Sequence, residues 1–222
     1  MREFAAIEAP VIDRFGGLDG LQSKLVKPKP AQLLREIHDS QWLSSASRAV
    51  FQAGFSWKVV EKKWPDIEKI FYGFDVSFCR YLPEEALDDL MRQEGMIKHW
   101  TKTRSIQRNA DFFWHLSNEH GNLGAYFSSW NTDNYIENLL YLRKGGDRLG
   151  GKTAQVFLRR MGVDTLVFAS DTIRALIREG VVDKSPSSKK DWAALKAAIE
   201  TWQSQSNRSL NEISQILSLS VG

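Results

Sequence analysis

Apolar residues recur at helical spacing along most of the chain, whereas the alternation typical of strands is scarce. Leu33, Leu34 and Ile37, for example, recur every three or four residues and predict one buried helical face. The predicted helices cover residues 31–42, 44–51, 56–71, 83–95, 98–119, 123–130, 134–143, 153–161, 171–179, 191–204 and 210–219. The pattern therefore predicts an all-α protein.

The segments that lack this periodicity carry separate expectations. Residues 1–20 are expected to form an irregular or short helical lead, and residues 27–30 an extended linker with two prolines. Residues 166–168 are expected to form a short extended link. Ser170 then suits the N-cap of the helix over 171–179, because its side chain can accept a hydrogen bond from the first turn.

The composition is that of a folded protein without a membrane span. Hydrophobic residues make up 42% of the 222 residues, and eight are Trp, which argues against disorder. No apolar run approaches the roughly 20 residues that cross a bilayer, and residues 1–20 lack the layout of a signal peptide. The single cysteine, Cys79, excludes an internal disulfide. We expect a cytoplasmic protein that acts as a monomer.

A glycine-rich turn between two predicted helices carries much of the candidate chemistry. It reads Gly-Gly-Asp-Arg-Leu-Gly-Gly-Lys-Thr-Ala over residues 145–154. Backbone N–H groups at such a turn, with the positive end of a helix dipole, favour a phosphate group. Lys152 adds a cation, and Asp171, nineteen residues later, adds a carboxylate that can stabilise a cationic transition state. This combination indicates an enzyme that acts on DNA.

The net charge of +3 permits a polyanionic partner without requiring one. The cations nearest the turn are Lys144, Arg148, Lys152, Arg159 and Arg160. The Gly-Lys-Thr string also matches a nucleotide-binding P-loop, but a P-loop follows a β-strand. The residues before this turn, 135–143, read as a helix, so we set that interpretation aside.

The turn resembles the hairpin of the helix-hairpin-helix DNA glycosylase superfamily, which reads Leu-Pro-Gly-Val-Gly-x-Lys-Thr-Ala and precedes a catalytic Asp. Its second half is matched by Leu149, Gly150, Lys152, Thr153 and Ala154. Asp171 stands at the spacing typical of that Asp. Asp147 and Arg148 replace the usual Pro and Gly, so Gly145 and Gly146 are expected to supply the turn. The resemblance implies DNA binding by Arg148, Leu149, Gly150, Gly151 and Thr153.

A second resemblance, over residues 38–130, is to the bacterial 3-methyladenine DNA glycosylase I family. Its Gln-Ala-Gly-Leu-Ser-Trp motif is matched by residues 52–57, Gln-Ala-Gly-Phe-Ser-Trp. Further matches are Lys62-Lys63, Phe74-Asp75, residues 94–99, Asn109-Ala110 and His38-Asp-Ser-Gln-Trp42. The resemblance implies a base pocket in which Trp57 stacks on an extruded base. From their aromatic side chains alone, Phe55 and Trp100 are further candidates for its walls, with a place in the core as the alternative. The resemblance also places Gln52 where relatives carry a residue that fills the gap left in the duplex.

Two departures from that family limit what the resemblance implies. Ala49 stands where the family carries a pocket Glu. The family's zinc ligands, Cys and His near both chain ends, have no counterparts here, and one cysteine cannot hold an iron–sulfur cluster. We therefore predict no metal and no cofactor.

Together the resemblances imply a single glycosylase-like domain over residues 1–222. The lobe that carries the hairpin would span about 44–165, with 1–43 and 166–222 completing two closely packed helical lobes and the site in the cleft between them. The implied function is base-excision repair of double-stranded DNA. The enzyme would flip out and remove a damaged base, an alkylated purine such as 3-methyladenine.

The candidate residues each have an alternative interpretation. Asp171 is assigned to stabilise the oxocarbenium-like sugar, with Asp164 as a rival, although an acid in a first helical turn is also common for electrostatic reasons alone. Lys152 either attacks C1′, as in strand-cleaving relatives, or contacts phosphate or solvent; we favour a monofunctional glycosylase. The alternative interpretation of Trp57 is a core aromatic, and that of Gln52 is a capping or solvent-facing amide.

Two alternatives for the whole protein stay open. Helix-hairpin-helix units also serve as non-catalytic grips on the DNA backbone, and the missing pocket Glu is compatible with lost catalysis. In the second alternative, the protein is an all-α scaffold in which the Gly-Gly-Lys-Thr turn is accidental.

Overall fold

The computed structural model describes residues 1–221, and within them every regular element is helical, as predicted. The α-helices are α1 (Phe4–Arg14), α2 (Leu18–Gln22), α3 (Ala31–Arg35), α4 (Asp39–Gln52), α5 (Trp57–Ile70), α6 (Val76–Arg80), α7 (Glu84–Arg92), α8 (Trp100–His120), α9 (Leu123–Ser128), α10 (Thr132–Gly145), α11 (Thr153–Met161), α12 (Ser170–Arg178), α13 (Lys189–Ser206) and α14 (Leu210–Leu219). A 3₁₀ turn spans Tyr72–Phe74. Among the described helices, none combines the length and the apolar character that a membrane span needs.

The helices form two compact units. The central unit comprises residues 30–130 and 139–161, and the terminal unit comprises residues 1–29, 131–138 and 162–221. Each has a hydrophobic core of its own. The prediction that the whole chain acts as one glycosylase-like domain stays a prediction.

The central unit is built around α4 and α8, which run in opposite directions against each other. An aromatic cluster joins α4 to α8, α9 and α11: the Trp42 ring stacks 4.5 Å from Phe127, and Phe113 stacks 6.1 Å from Phe157. These side chains are all fully or almost fully buried. Such burial of large aromatic rings contributes a large hydrophobic stabilisation. It holds the start of α4 against the second half of α8.

The terminal unit packs α1 and α12 against α14, with Phe4 and Trp202 fully buried in its core. At its edge the buried Glu179 carboxylate accepts from Arg2, at 2.5 Å, and from Arg178, at 2.8 Å. Hydrogen bonds from Arg2, which outweigh the effect of burial, lower the pKa of Glu179 to about 2. The charged pair therefore fastens the start of the chain to the end of α12.

Five local features differ from the predictions. Residues 1–20 contain two helices, α1 and α2, and a short helix that was not predicted, α6, spans Val76–Arg80. The helix predicted over 31–42 ends at Arg35, because His38 and the Gln41 side chain form a capping box that starts α4 at Asp39. α4 then runs through the predicted break at residue 43. Ser170 is the first residue of α12 rather than its N-cap.

Candidate active site

The glycine-rich turn forms a hairpin between α10 and α11 in the central unit. Leu149 is fully buried and anchors it, so any role of this side chain in DNA binding is through positioning the turn. Asn109 of α8 is also buried and brackets the turn: its Oδ1 accepts from the Asp147 N–H at 2.7 Å, and its Nδ2 donates to the Asp147 carbonyl at 3.0 Å. A hairpin tied this way from α8 is a rigid platform for a phosphate.

Arg148, not Gly145 or Gly146, makes the tight turn of the hairpin. Its φ of 62° lies in the left-handed region, at the position where the superfamily usually carries Gly. Gly145 and Gly146 are instead required by close packing, since a Cβ would lie 2.4 Å from the Phe112 ring and 2.5 Å from the Leu149 side chain, respectively. The expectation that these two glycines supply the turn was wrong, because the turn follows the superfamily register despite the arginine.

Replacing Arg148 by Gly is expected to raise the free energy of unfolding by about 0.5–1 kcal/mol, because relief of left-handed strain outweighs the added freedom of the unfolded chain. Chemical denaturation measures this change. Gly151 is a reciprocal control: it has φ +54° in the same turn with open space around it, so Gly151→Ala should destabilise. A loss of stability in Arg148→Gly would show that its side-chain contacts outweigh the strain.

The exposed end of the hairpin carries the remaining predicted DNA ligands. Gly150, Gly151 and Lys152 are exposed, and Thr153, half-buried, begins α11. The Thr153 N–H donates to the Gly150 carbonyl at 3.1 Å, which closes the turn. The backbone of this turn is therefore accessible to an anion, and the Lys152 side chain lies at its edge.

The Gln-Ala-Gly-Phe-Ser-Trp motif forms the loop between α4 and α5. Gly54 adopts a φ of +110°, which a residue with a side chain would adopt only under strain, and lets the chain reverse there. Trp57 opens α5 with 53% of its surface exposed, so it is not a core aromatic. Its ring centroid lies 5.9 Å from the guanidinium carbon of Arg160. An exposed indole at a loop edge is available for stacking on a base.

Gln52 is buried, not solvent-facing, and belongs to a polar network beneath the loop. Its Nε2 donates to Glu61 at 2.6 Å, and its Oε1 accepts from Arg160. Arg48 pairs with the same Glu61 at 3.2 Å. Burial, and then the charge of Arg48, lowers the pKa of Arg160 to about 10. Entry of Gln52 into a duplex would require it to leave these hydrogen bonds.

A buried lysine, Lys102, holds the same loop from the α8 side. Its Nζ donates to the carbonyls of Val50 at 2.8 Å, Phe51 at 3.1 Å and Ala53 at 2.6 Å. It also lies 4.7 Å from the centroid of the Phe55 ring. Burial, and then the charge of Arg148, lowers the pKa of Lys102. Three acceptors match the three N–H groups of an ammonium ion, so the amine has no lone pair to act as a nucleophile.

The position of Lys102 in the sequence carries a signal of its role. It lies in the first turn of α8, where a cation opposes the helix dipole. A buried cation at that position needs other acceptors, and carbonyls at the end of α4 and just beyond it supply them. Of the other predicted pocket residues, Phe55 makes an edge contact with His99 at 5.7 Å and Trp100 is half-buried at the start of α8.

The two candidate carboxylates of the terminal unit are in different states. Asp164 accepts from the backbone N–H groups of Leu210, at 3.1 Å, and Asn211, at 2.8 Å, so it caps the start of α14. Asp171 lies in the first turn of α12 with 43% of its side chain exposed, and pairs with Arg174 at 2.5 Å. Asp171 is therefore the carboxylate that is accessible for chemistry.

The residues present do not suit the zinc site of the 3-methyladenine family. The thiol of Cys79 is buried, and burial, followed by the charge of Asp75, raises its pKa to about 12, which disfavours a thiolate ligand. Over residues 1–221 no cluster of three or more His, Cys, Asp or Glu side chains is arranged to hold a metal ion. No catalytic step is assigned to a metal.

The fold resembles solved DNA glycosylase structures. The Staphylococcus aureus 3-methyladenine DNA glycosylase I is 20% identical with a TM-score of 0.52, over 62% of this chain and 81% of that one. The 8-oxoguanine DNA glycosylase of Thermotoga maritima is 18% identical with a TM-score of 0.55, over 96% and 90%. The Methanocaldococcus jannaschii 8-oxoguanine glycosylase/lyase, solved with DNA containing 8-oxoguanine, is 15% identical with a TM-score of 0.52, over 90% and 87%.

These likenesses define the class of fold, that of the helix-hairpin-helix DNA glycosylases. The sequence profile of the methyladenine glycosylase family matches residues 29–144, just over half of the chain. The chain belongs to the methyladenine glycosylase family. It is accordingly a DNA glycosylase of base-excision repair, and its partner is DNA.

Proposed function

We propose that this protein is a monofunctional glycosylase that removes an alkylated purine, such as 3-methyladenine, from double-stranded DNA. The observation that carries the proposal is the loop over residues 52–57. It lies within the residues that match the methyladenine glycosylase family, and it presents the Trp57 indole to solvent at the start of α5. A purine that is methylated at a ring nitrogen is cationic, and an electron-rich indole stacks well on it.

In the proposed reaction the damaged nucleotide is flipped out of the duplex and its base stacks on Trp57. The bond between C1′ and the purine nitrogen breaks, its electron pair leaves with the base, and the sugar becomes oxocarbenium-like. The Asp171 carboxylate stabilises this cation electrostatically. The oxygen of a water molecule then bonds to C1′, and the proton that water loses passes to the carboxylate or to solvent.

The proposal for Asp171 has its own support. The family match ends at residue 144, before the hairpin and before α12. Asp171 is favoured by its spacing from Lys152 and by the engagement of its rival, Asp164, as the cap of α14. The Lys152 side chain is exposed at the hairpin, where we assign it to phosphate contact rather than to attack on C1′.

Base release from DNA treated with a methylating agent tests the proposed function. We expect the protein to release methylated purines, identified by chromatography, and to leave the abasic strand intact. Lys152→Ala should release bases at a similar maximal rate, and borohydride should trap no protein–DNA adduct. A duplex that contains one 8-oxoguanine is the matched substrate control. The protein should neither release this base nor cut the strand.

Each contrary result has a separate meaning. A Lys152-dependent adduct would establish a glycosylase with lyase activity and overturn the monofunctional assignment. Release of 8-oxoguanine without release of methylated purines would overturn the substrate class. Tight DNA binding with no release from either substrate would favour a non-catalytic DNA-binding protein.

A further inference from the structure

A basic pocket lies beside the hairpin and is separate from the backbone of the turn itself. It has a volume of about 370 Å³ and is lined by Trp100, Thr101, Arg104, Arg108, Asp147 and Arg148. Trp100, Arg104 and Arg108 are spaced by four residues on α8 and therefore share one face of that helix. The hairpin closes the pocket with Arg148 and Asp147.

The charges of the pocket favour an anion. Three guanidinium groups line it against one carboxylate. Arg108 contacts Asp147 through Nη1 at 3.2 Å, and Arg104 contacts Glu84 through Nη2 at 2.5 Å. A guanidinium carries several N–H donors in a planar fork, so these pairs orient the two arginines and leave donors for a ligand. The pocket is therefore an ordered cationic site.

Arg148 supplies an independent indication of function. It occupies the left-handed position at φ 62°, where glycine would be unstrained. Its Nη2 donates to the Thr101 hydroxyl at 3.1 Å, which directs the guanidinium towards the pocket. Strained backbone at a non-glycine residue clusters at functional sites, and here the strain places a charge beside the two arginines of α8.

The geometry points to a phosphate of the DNA backbone as the ligand of this pocket, outside the phosphates that the hairpin N–H groups bind. Bidentate contact by guanidinium groups suits a phosphodiester, and the Trp100 indole offers an apolar wall to the adjoining deoxyribose. This inference rests on the proposed function, since it assumes that the hairpin contacts DNA. It extends the DNA footprint from the hairpin along the first half of α8.

The salt dependence of DNA binding tests the inference. The probe is an undamaged fluorescent duplex, titrated between about 50 and 200 mM salt with the full-length protein. Arg104→Gln, Arg108→Gln and Arg148→Gln should each reduce the slope of log K against log salt by about one. Each should weaken binding roughly tenfold near 0.1 M salt. Arg92→Gln, which removes an arginine of α7 that pairs with Asp88 outside the pocket, should leave the slope unchanged.

Four outcomes are distinguished. Wild-type slopes in all three pocket variants would overturn the inference. Binding of free dAMP that is lost in these variants while duplex affinity is unchanged would make the pocket a mononucleotide site and overturn it as well. Reduced slopes in the three pocket variants, with the slope of Arg92→Gln unchanged, would support a DNA-binding role. If the wild-type protein releases no base, the proposed function is refuted. The salt slopes would still test whether the pocket binds a DNA phosphate.

Discussion

Replacing Asp171 by Asn is expected to lower the single-turnover rate of base release about 100- to 1,000-fold, with DNA affinity changed only slightly. The reason is that an amide of the same shape keeps its place in the first turn of α12 but loses the negative charge that, in the proposed reaction, stabilises the sugar cation. The measurement is release of methylated purines at saturating enzyme, together with the dissociation constant for an undamaged duplex. Loss of rate without loss of binding would place the carboxylate in the chemical step.

Two control variants separate this effect from changes in folding. Arg174→Ala removes the ion pair of Asp171 but retains its carboxylate, so base release should stay within a few fold of wild type. Asp164→Ala removes the two hydrogen bonds that Asp164 accepts from the first N–H groups of α14 and should cost about 1–2 kcal/mol of stability, with normal release by the folded protein. Wild-type release by Asp171→Asn, or equal losses in Asp171→Asn and Asp164→Ala, would exclude the catalytic assignment.

Replacing Lys102 by Met is expected to lower the free energy of unfolding by about 3 kcal/mol, because charge-assisted hydrogen bonds to the last carbonyls of α4 are lost. Base release should also fall about 100-fold at temperatures where the variant is folded, since the loop that carries Trp57 loses its fixed position. Denaturation and single-turnover release measure the two effects. The proposed role of Lys102 is positioning, because its amine is occupied by the three carbonyls.

The control for Lys102→Met must separate loop position from general destabilisation. Ile7→Ala creates a cavity in the core of the terminal unit and should cost about 2–4 kcal/mol, while the folded fraction releases bases normally. Lys98→Met removes an exposed lysine four residues earlier, before the start of α8, and should change neither quantity by much. If Ile7→Ala and Lys102→Met slow base release equally, Lys102 has only a structural role.

The local sequence identified the hairpin but not the interactions that hold its turn. The match of Leu149, Gly150, Lys152 and Thr153 to the superfamily located the hairpin, but the turn was expected at Gly145 and Gly146 instead of Arg148. The sequence did not show that Arg148 would adopt a left-handed conformation, because arginine rarely adopts it unless other contacts impose it. The Asn109 bracket, 38 residues away along the chain, together with the buried Leu149, holds the turn in the conformation that imposes this strain.

Helical content, most helix positions and the loop over residues 52–57 followed from the sequence by itself, because apolar spacing, glycine and proline act within a few residues. Even the start of α4 has a local cause, the capping box of His38, which spacing alone does not reveal. The exposure of Trp57, the burial of Gln52 and the clamp of Lys102 on carbonyls about 50 residues away were decided only by tertiary structure. Burial, hydrogen-bond partners and the resulting pKa shifts depend on which distant segments pack together, and no local pattern encodes that choice.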